Sequence, residues 1–150
     1  MGSEAKPVAI GNLKPGAVVM PFIRITTFGK PLTSEQINRL QQGTTELMVT
    51  VMRKPIEGTA VLVEQINQGG WSIAGKSVEV AAQVEATIGL GTNTPEEKAR
   101  FMADMMRLLR TVLGKELRDE TYITFHQFDH DSYGRGGITR AEREGRRKVA

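Results

Sequence analysis

The sequence predicts an α/β (α+β) fold made of tandem β-α-β repeats, whose strands form a four-stranded sheet with two helices on one face. Three observations carry this. Residues 22–27 (FIRITT) are β-branched and aromatic, and a capped amphipathic pattern and a second strand pattern, 59–66 (TAVLVEQI), follow them. The same order returns in the second half with a lag of about 61 residues, which marks a structural repeat. A strand, crossover helix and strand of this length favour parallel pairing within each unit, with right-handed connections.

After the first strand, Gly29, Lys30 and Pro31 make a turn. Thr33-Ser-Glu-Gln36 is a capping box that satisfies free amide hydrogens at a helix start. Ile37, Leu40, Leu47, Met48 and Val51 then recur at helical spacing, with Gly43 as a weak point, until Lys54, Pro55 and Gly58 end the helix. The second strand leads through Asn67-Gln-Gly-Gly70 into a short hairpin at Trp71-Ser-Ile-Ala-Gly75. In the second repeat, strand 78–90 leads to Thr94-Pro-Glu-Glu97, a capping box with proline at the first helical position. Phe101, Met105, Leu108, Leu109 and Val112 form the buried stripe, and Gly114 stops the helix. Strand 122–128 (YITFHQF) and the turn 132–137 complete the repeat, so that Trp71 and Tyr133 hold matching hairpin positions. Met48, Met52, Met102, Met105 and Met106 read as core filling. Two helices cover one sheet face, and the other needs a partner, which implies a homo-oligomer.

A chain of 150 residues suits one structural domain. Its expected parts are an N-terminal extension (1–20), a first repeat (21–77), a second repeat (78–139) and a basic tail (140–150). Hydrophobic residues at 39% and charged residues at 25% describe a soluble globular chain, with no run long enough to span a bilayer. Glu4, Lys6, Pro7, Gly11 and Pro15 interrupt the first 20 residues, unlike a secretory signal, and a cytoplasmic location is expected. The absence of cysteine excludes thiol catalysis, disulfides and cysteine-based zinc sites. The net charge of +3 gathers at Arg140, Arg143, Arg146, Arg147 and Lys148. Glu142 and Glu144 interrupt that cluster, so it reads as a solvated helix end, with no nucleic-acid or membrane partner expected.

Met20-Pro21-Phe-Ile-Arg-Ile, followed by a capped helix, a second strand and a glycine-flanked aromatic hairpin, resembles the 4-oxalocrotonate tautomerase family. The likeness runs from Pro21 to about Arg143, and two units in one chain look like the fused branch that includes malonate semialdehyde decarboxylase and fused tautomerases. It implies a tautomerase/MIF-like trimer and an N-terminal proline that moves a proton between carbon and the conjugated system of a small 2-oxo or enol carboxylate, without a cofactor. Pro21 is the candidate base. Within a chain it is a tertiary amide with no basic lone pair; at a terminus it is a secondary amine. The resemblance assigns substrate binding to Lys30, Trp71 and Arg135, with Trp71 as an aromatic wall. The arginine that single-unit members carry at the start of the second strand falls on Ala60, or on Tyr122 in the second repeat, and Tyr122 can donate a hydrogen bond without charge. Ala82 stands at the second repeat's proline position, leaving at most one catalytic proline per chain.

Residues before Pro21 would block the amine. Either translation starts at Met20, whose methionine is readily removed, or the chain is cleaved, or it is a non-catalytic trimeric module. Glu57, paired with Arg135, could instead support hydratase or decarboxylase chemistry. His126, Asp129, His130 and Asp131 are the only histidine cluster; a polar strand end entering a turn explains them without a metal.

Overall fold

The computed structural model describes residues 21–149. The extension expected at 1–20 and the side chains of Arg147 and Lys148 lie outside the described positions. In chain order the elements are β1 (Phe22–Phe28), α1 (Ser34–Thr50), a 3-10 turn (Ile56–Gly58), β2 (Ala60–Ile66), β3 (Ser72–Ile73), β4 (Lys76–Ser77), β5 (Ala81–Gly89), α2 (Pro95–Leu113), β6 (Tyr122–Phe128), β7 (Gly134–Arg135), β8 (Ile138–Thr139) and α3 (Arg140–Val149). Both capping boxes form: Thr33 with Gln36 and Thr94 with Glu97, with Pro95 opening α2. The strand expected at 78–90 begins later because the Val78 N–H donates to the Trp71 carbonyl at 3.0 Å, which keeps Val78 in the β3–β4 hairpin.

The sheet order is β2-β1-β5-β6. β1–β2 and β5–β6 are parallel, as a crossover helix requires, and the central β1–β5 pair is antiparallel. Two like units that pair through the same edge strand, with both helices on one side, are related by a rotation about an axis through the sheet. Such a rotation reverses strand direction, so the start of each central strand meets the end of the other.

On the helix side, Ile23 and Ile25 of β1 and Ala82, Val84, Ala86 and Ile88 of β5 are buried with Leu40 and Met48 of α1 and Phe101, Met105 and Leu109 of α2. Each such leucine-sized side chain contributes about 1.5–3 kcal/mol through burial. Buried Thr44 satisfies its hydroxyl by donating to the Met105 sulfur at 3.6 Å. Gly43 is a packing position and not merely a weak one: a Cβ there would lie 2.8 Å from Leu108 Cδ2, so its absence lets α1 and α2 approach. Met48, Met52 and Met105 are core residues, whereas Met102 is exposed at the edge of α2.

The other sheet face carries alternating residues of opposite character. Arg24 pairs with Glu64 at 3.3 Å and His126 with Glu85 at 3.0 Å, while Phe22, Ile66, Tyr122 and Phe128 remain exposed. Among the described residues, no helix is long and apolar enough to cross a membrane.

Candidate functional site

The end of α1 is turned by Arg53, a non-glycine residue at φ 59°. That left-handed conformation costs on the order of 1–2 kcal/mol and persists only where the surroundings hold it. Glu97 holds it here: Arg53 Nε donates to Oε2 at 2.6 Å and Nη2 to Oε1 at 3.2 Å, and Nη2 also donates to the Thr92 carbonyl at 3.1 Å. Glu97 additionally accepts from the Thr94 N–H at 2.9 Å and from Asn93 Nδ2 at 3.1 Å, and Asn93 also donates to the Met52 carbonyl. Burial alone would raise the Glu97 pKa; the hydrogen bonds from Arg53, Thr94 and Asn93 and the Arg53 charge outweigh it and bring it down to about 2. The C-terminus of α1 is thereby stitched to the N-terminus of α2.

The turn at Arg53 sends Lys54 inward, where it is 2% exposed. Lys54 Nζ donates to Thr92 Oγ1 at 3.0 Å, and Thr92 Oγ1 donates to the Gly89 carbonyl at 2.7 Å. Burial, then the charges of Arg140 and Arg53, lower the Lys54 pKa to about 7 against the opposing pull of Glu97.

Gly89 ends β5, and the space its side chain would fill is taken by others. A Cβ there would lie 2.5 Å from the Tyr133 hydroxyl and would collide with Arg140 Nη1. Arg140 is buried; its Nη1 donates to the Tyr133 hydroxyl at 3.3 Å and lies 3.1 Å from His130 Nε2. Its Nε is 2.9 Å from Glu144 Oε1 but without hydrogen-bond alignment, and is a buried donor with no partner among the described residues. The start of the expected solvated tail is therefore interior, because the Arg140 N–H donates to the Tyr133 carbonyl and docks α3 against the β7–β8 hairpin.

Pro21 lies at this same end of the sheet. It is buried, and its carbonyl accepts from the Ala60 N–H at 3.2 Å. Phe22 pairs with Thr87, so the next antiparallel step puts Pro21 beside Ile88 and adjoining Gly89. Pro21, Lys54, Thr92, Tyr133 and Arg140 thus all lie at the end of the sheet where β1 begins and β5 ends.

The residues expected to bind substrate are divided between the two ends. Arg135 sits exposed in the β7–β8 hairpin at the Pro21 end, its carbonyl accepting from Arg143 Nη2 at 3.0 Å. Lys30 lies beyond the far end of β1, on the order of 25 Å away at roughly 3.3 Å per strand residue. It lines a cavity of about 510 Å³ with Phe28, Leu32, Glu79, Leu113 and Glu116. Trp71 packs on Phe28 there, ring centroids 6.4 Å apart. Tyr122 is 69% exposed and pairs with Gln83, which pairs with Thr26, so it too lies toward that far end. One chain does not bring Lys30, Trp71 or Tyr122 to Pro21.

Glu57 is exposed in the 3-10 turn and forms no ion pair with Arg135 among the described residues. His126 points to the open sheet face and pairs with Glu85, while His130 belongs to the Arg140 cluster. No group of three or more metal-ligating side chains gathers among the described residues.

Sequence reasoning reads Lys54 as a helix stop and Arg140 as surface charge. One signal was present: Lys54 continues the helical spacing of Leu40, Leu47 and Val51, a cation on the buried stripe.

A family model described as tautomerase enzyme matches residues 21–81, starting at Pro21. Probable tautomerase K2 of Dickeya dadantii is 34% identical over 59 residues, covering 39% of this chain and 88% of that protein. Among solved structures, Pt0534 inactivated by 2-oxo-3-pentynoate superposes with a TM-score of 0.71 at 18% identity, over 80% of this chain and 97% of its own. A fused 4-OT symmetric trimer, Q0, gives 0.69 at 15% identity, over 81% and 97%. At these identities the two structures establish likeness of fold.

Proposed function

Because this chain belongs to the tautomerase family, we propose that, in the form that begins at Pro21, it is a cofactor-independent keto–enol tautomerase of a small 2-oxo or enol carboxylate. The position of buried Pro21 at the same end of the sheet as the buried cations Lys54 and Arg140 supports this reading. A secondary amine in that setting is disfavoured in its protonated form by burial and by like charge, which leaves it free to accept a proton near neutral pH. It takes the proton from the carbon beside the carbonyl. Negative charge then grows on the carbonyl oxygen, and fixed donors in a site of low polarity stabilise it without reorganising. Arg140, a buried guanidinium at that end, supplies such a group, and Arg135 approaches from the hairpin at the same end.

Lys30, Trp71 and Tyr122 can join this site only from a neighbouring copy. The open sheet face supports such an assembly, and we take it to be a trimer, as in the fused 4-OT structure. In that trimer the far end of one chain would abut the Pro21 end of the next.

The test is ketonisation of phenylenolpyruvate by protein whose N-terminal residue is Pro21. Activity is expected there, and Pro21→Ala should lower kcat/KM at least about 100-fold, the lower range for a general base. Chains that retain Met20 should be inactive. Equal rates for Pro21→Ala and the parent would end this reading.

A further inference from the structure

Arg140 touches the ring of His130, and the contacts around that ring exclude one another. We propose that His130 is a positioning residue for Arg140, and that it acts only as the neutral ring with its proton on Nδ1. The inference rests on the Pro21 reading, which uses Arg140, and adds to it the regulation of that arginine by a residue that acts through it.

Arg140 Nη1 donates to the Tyr133 hydroxyl at 3.3 Å and lies 3.1 Å from His130 Nε2, while its Nε lies 2.9 Å from Glu144 Oε1. The other oxygen of the same carboxylate, Oε2, lies 3.4 Å from His130 Nδ1. An ionised carboxylate only accepts hydrogen bonds, and a guanidinium only donates them. Glu144 therefore calls for the ring proton on Nδ1, and Arg140 calls for a bare Nε2; one neutral tautomer meets both demands. The backbone keeps these groups together, because the Ala141 N–H donates to the His130 carbonyl at 2.7 Å and ties it to the first turn of α3.

The Leu90 carbonyl also lies 3.1 Å from Nε2. With Nε2 bare, no proton stands between the two, and this contact is idle. A proton added to Nε2 reverses the arrangement: the new N–H donates to the Leu90 carbonyl, and Arg140 loses its acceptor and faces a second cation. Glu144 and Leu90 then hold the imidazolium, and Arg140 is the group displaced. The charged and titratable groups that face the ring are Arg140 and Glu144 on α3, with Tyr133 of the hairpin and Lys54 beyond Arg140. Asp129 and Asp131 flank it in the chain and form no ion pair with it among the described residues. Histidine is the side chain suited to change charge between about pH 5 and 8, so the displacement belongs to the acid side of neutrality.

Two measurements test this. In the whole chain at about pH 8, nitrogen-15 NMR of the histidine rings should show His130 protonated on Nδ1, with His130→Gln identifying its signals; a proton on Nε2 overturns the proposal. In protein beginning at Pro21, which retains every described strand and helix, kcat is followed from about pH 8 to about pH 5, since Arg140 meets charge that grows on the carbonyl oxygen. Glutamine offers Arg140 an uncharged acceptor near the Nε2 position and cannot gain a charge. His130→Gln should keep kcat within about threefold of the parent at pH 8, and its ratio to the parent should rise at least about fivefold by pH 5. His130→Ala should lose about 10-fold or more in kcat, and that loss should vanish in an Arg140→Met background. Parallel profiles for His130→Gln and the parent, or an equal loss for His130→Ala with and without Arg140, overturn the proposal. Where circular dichroism shows that His130→Ala does not fold, the glutamine profile and the ring proton decide. Pro21→Ala separates the two failures. A Pro21→Ala protein as fast as the parent ends the Pro21 reading and leaves the ring proton, which is read without turnover, to judge His130. A slow Pro21→Ala beside parallel His130→Gln and parent profiles removes His130 alone.

Discussion

Lys54 and Glu97 face each other across the α1–α2 junction with pKa values displaced downward, and the displacements have opposite consequences for stability. Between about 7 and the ordinary lysine value near 10.4, the unfolded chain holds a proton that the folded chain has released. The Lys54 contribution therefore makes the protein more stable as pH rises through that window, with a slope approaching about 1.4 kcal/mol per unit. Denaturant titrations of the parent and Lys54→Met should differ by that slope between pH 7 and 10 and run parallel below pH 6. The Glu97 slope has the same sign at lower pH, but here folding favours the charged form: the stabilisation is complete above the ordinary carboxylate value near 4.3 and is lost as pH falls through about 2. Glu97→Gln should cost about 2 kcal/mol at pH 7, less than a fully buried pair because Arg53 is partly exposed, and the cost should shrink between pH 4.5 and 2. Pro21 was legible as a candidate because its neighbours in sequence carry the pattern. Lys54 and Arg140 were not, because what makes them unusual is contact with Thr92, 38 positions from Lys54, and with Gly89.

At the scale of elements, local chemistry dominates and the sequence was correspondingly readable. Both capping boxes, the proline at the start of α2 and the β6 limits follow from residues within a few positions of one another. The start of β5 was misread because its limit depends on a hydrogen bond across the hairpin to Trp71. Gly43 illustrates the same boundary. Replacing an exposed helical glycine with alanine stabilises by about 1 kcal/mol. At Gly43 the added methyl meets Leu108, so Gly43→Ala should gain almost nothing by chemical denaturation. In a Leu108→Ala background the gain of about 1 kcal/mol should return, and a double-mutant cycle without coupling would show that the helices do not meet there. Gly134→Ala should be more severe locally: its Cβ would fall 2.7 Å from Thr139 Cα, which is backbone and cannot yield. Loss of amide protection in the β7–β8 hairpin, with little change in global stability, is the expected exchange result.

For the whole molecule, the repeat predicted the four strands and the single layer of helices, but not the antiparallel centre, which is a choice of how two units dock. That choice leaves one sheet face covered and one open, with Phe22, Ile66, Tyr122 and Phe128 exposed beside the Arg24–Glu64 and His126–Glu85 pairs. Light scattering should give about three chains per particle, and Ile66→Glu, which places a bare charge on this face, should shift the mass toward one chain. If the Lys30 end of each chain completes its neighbour's Pro21 site, the same variant should lose activity in step with dissociation, even though residue 66 is remote from Pro21 within its own chain.

The β1–β5 junction also has a meaning for sequence freedom. Were the two repeats separate molecules, their pairing would depend on concentration, and identical copies would have to serve both halves with one sequence. Joined through the β3–β4 hairpin, they meet at a fixed effective concentration, and each position answers to a single environment. Ala82 can fill the core where its counterpart Pro21 opens a strand, and Lys54 can be interior while the matching Lys115 stays in water. The tether turns a symmetric pair into two units whose corresponding positions need not be alike.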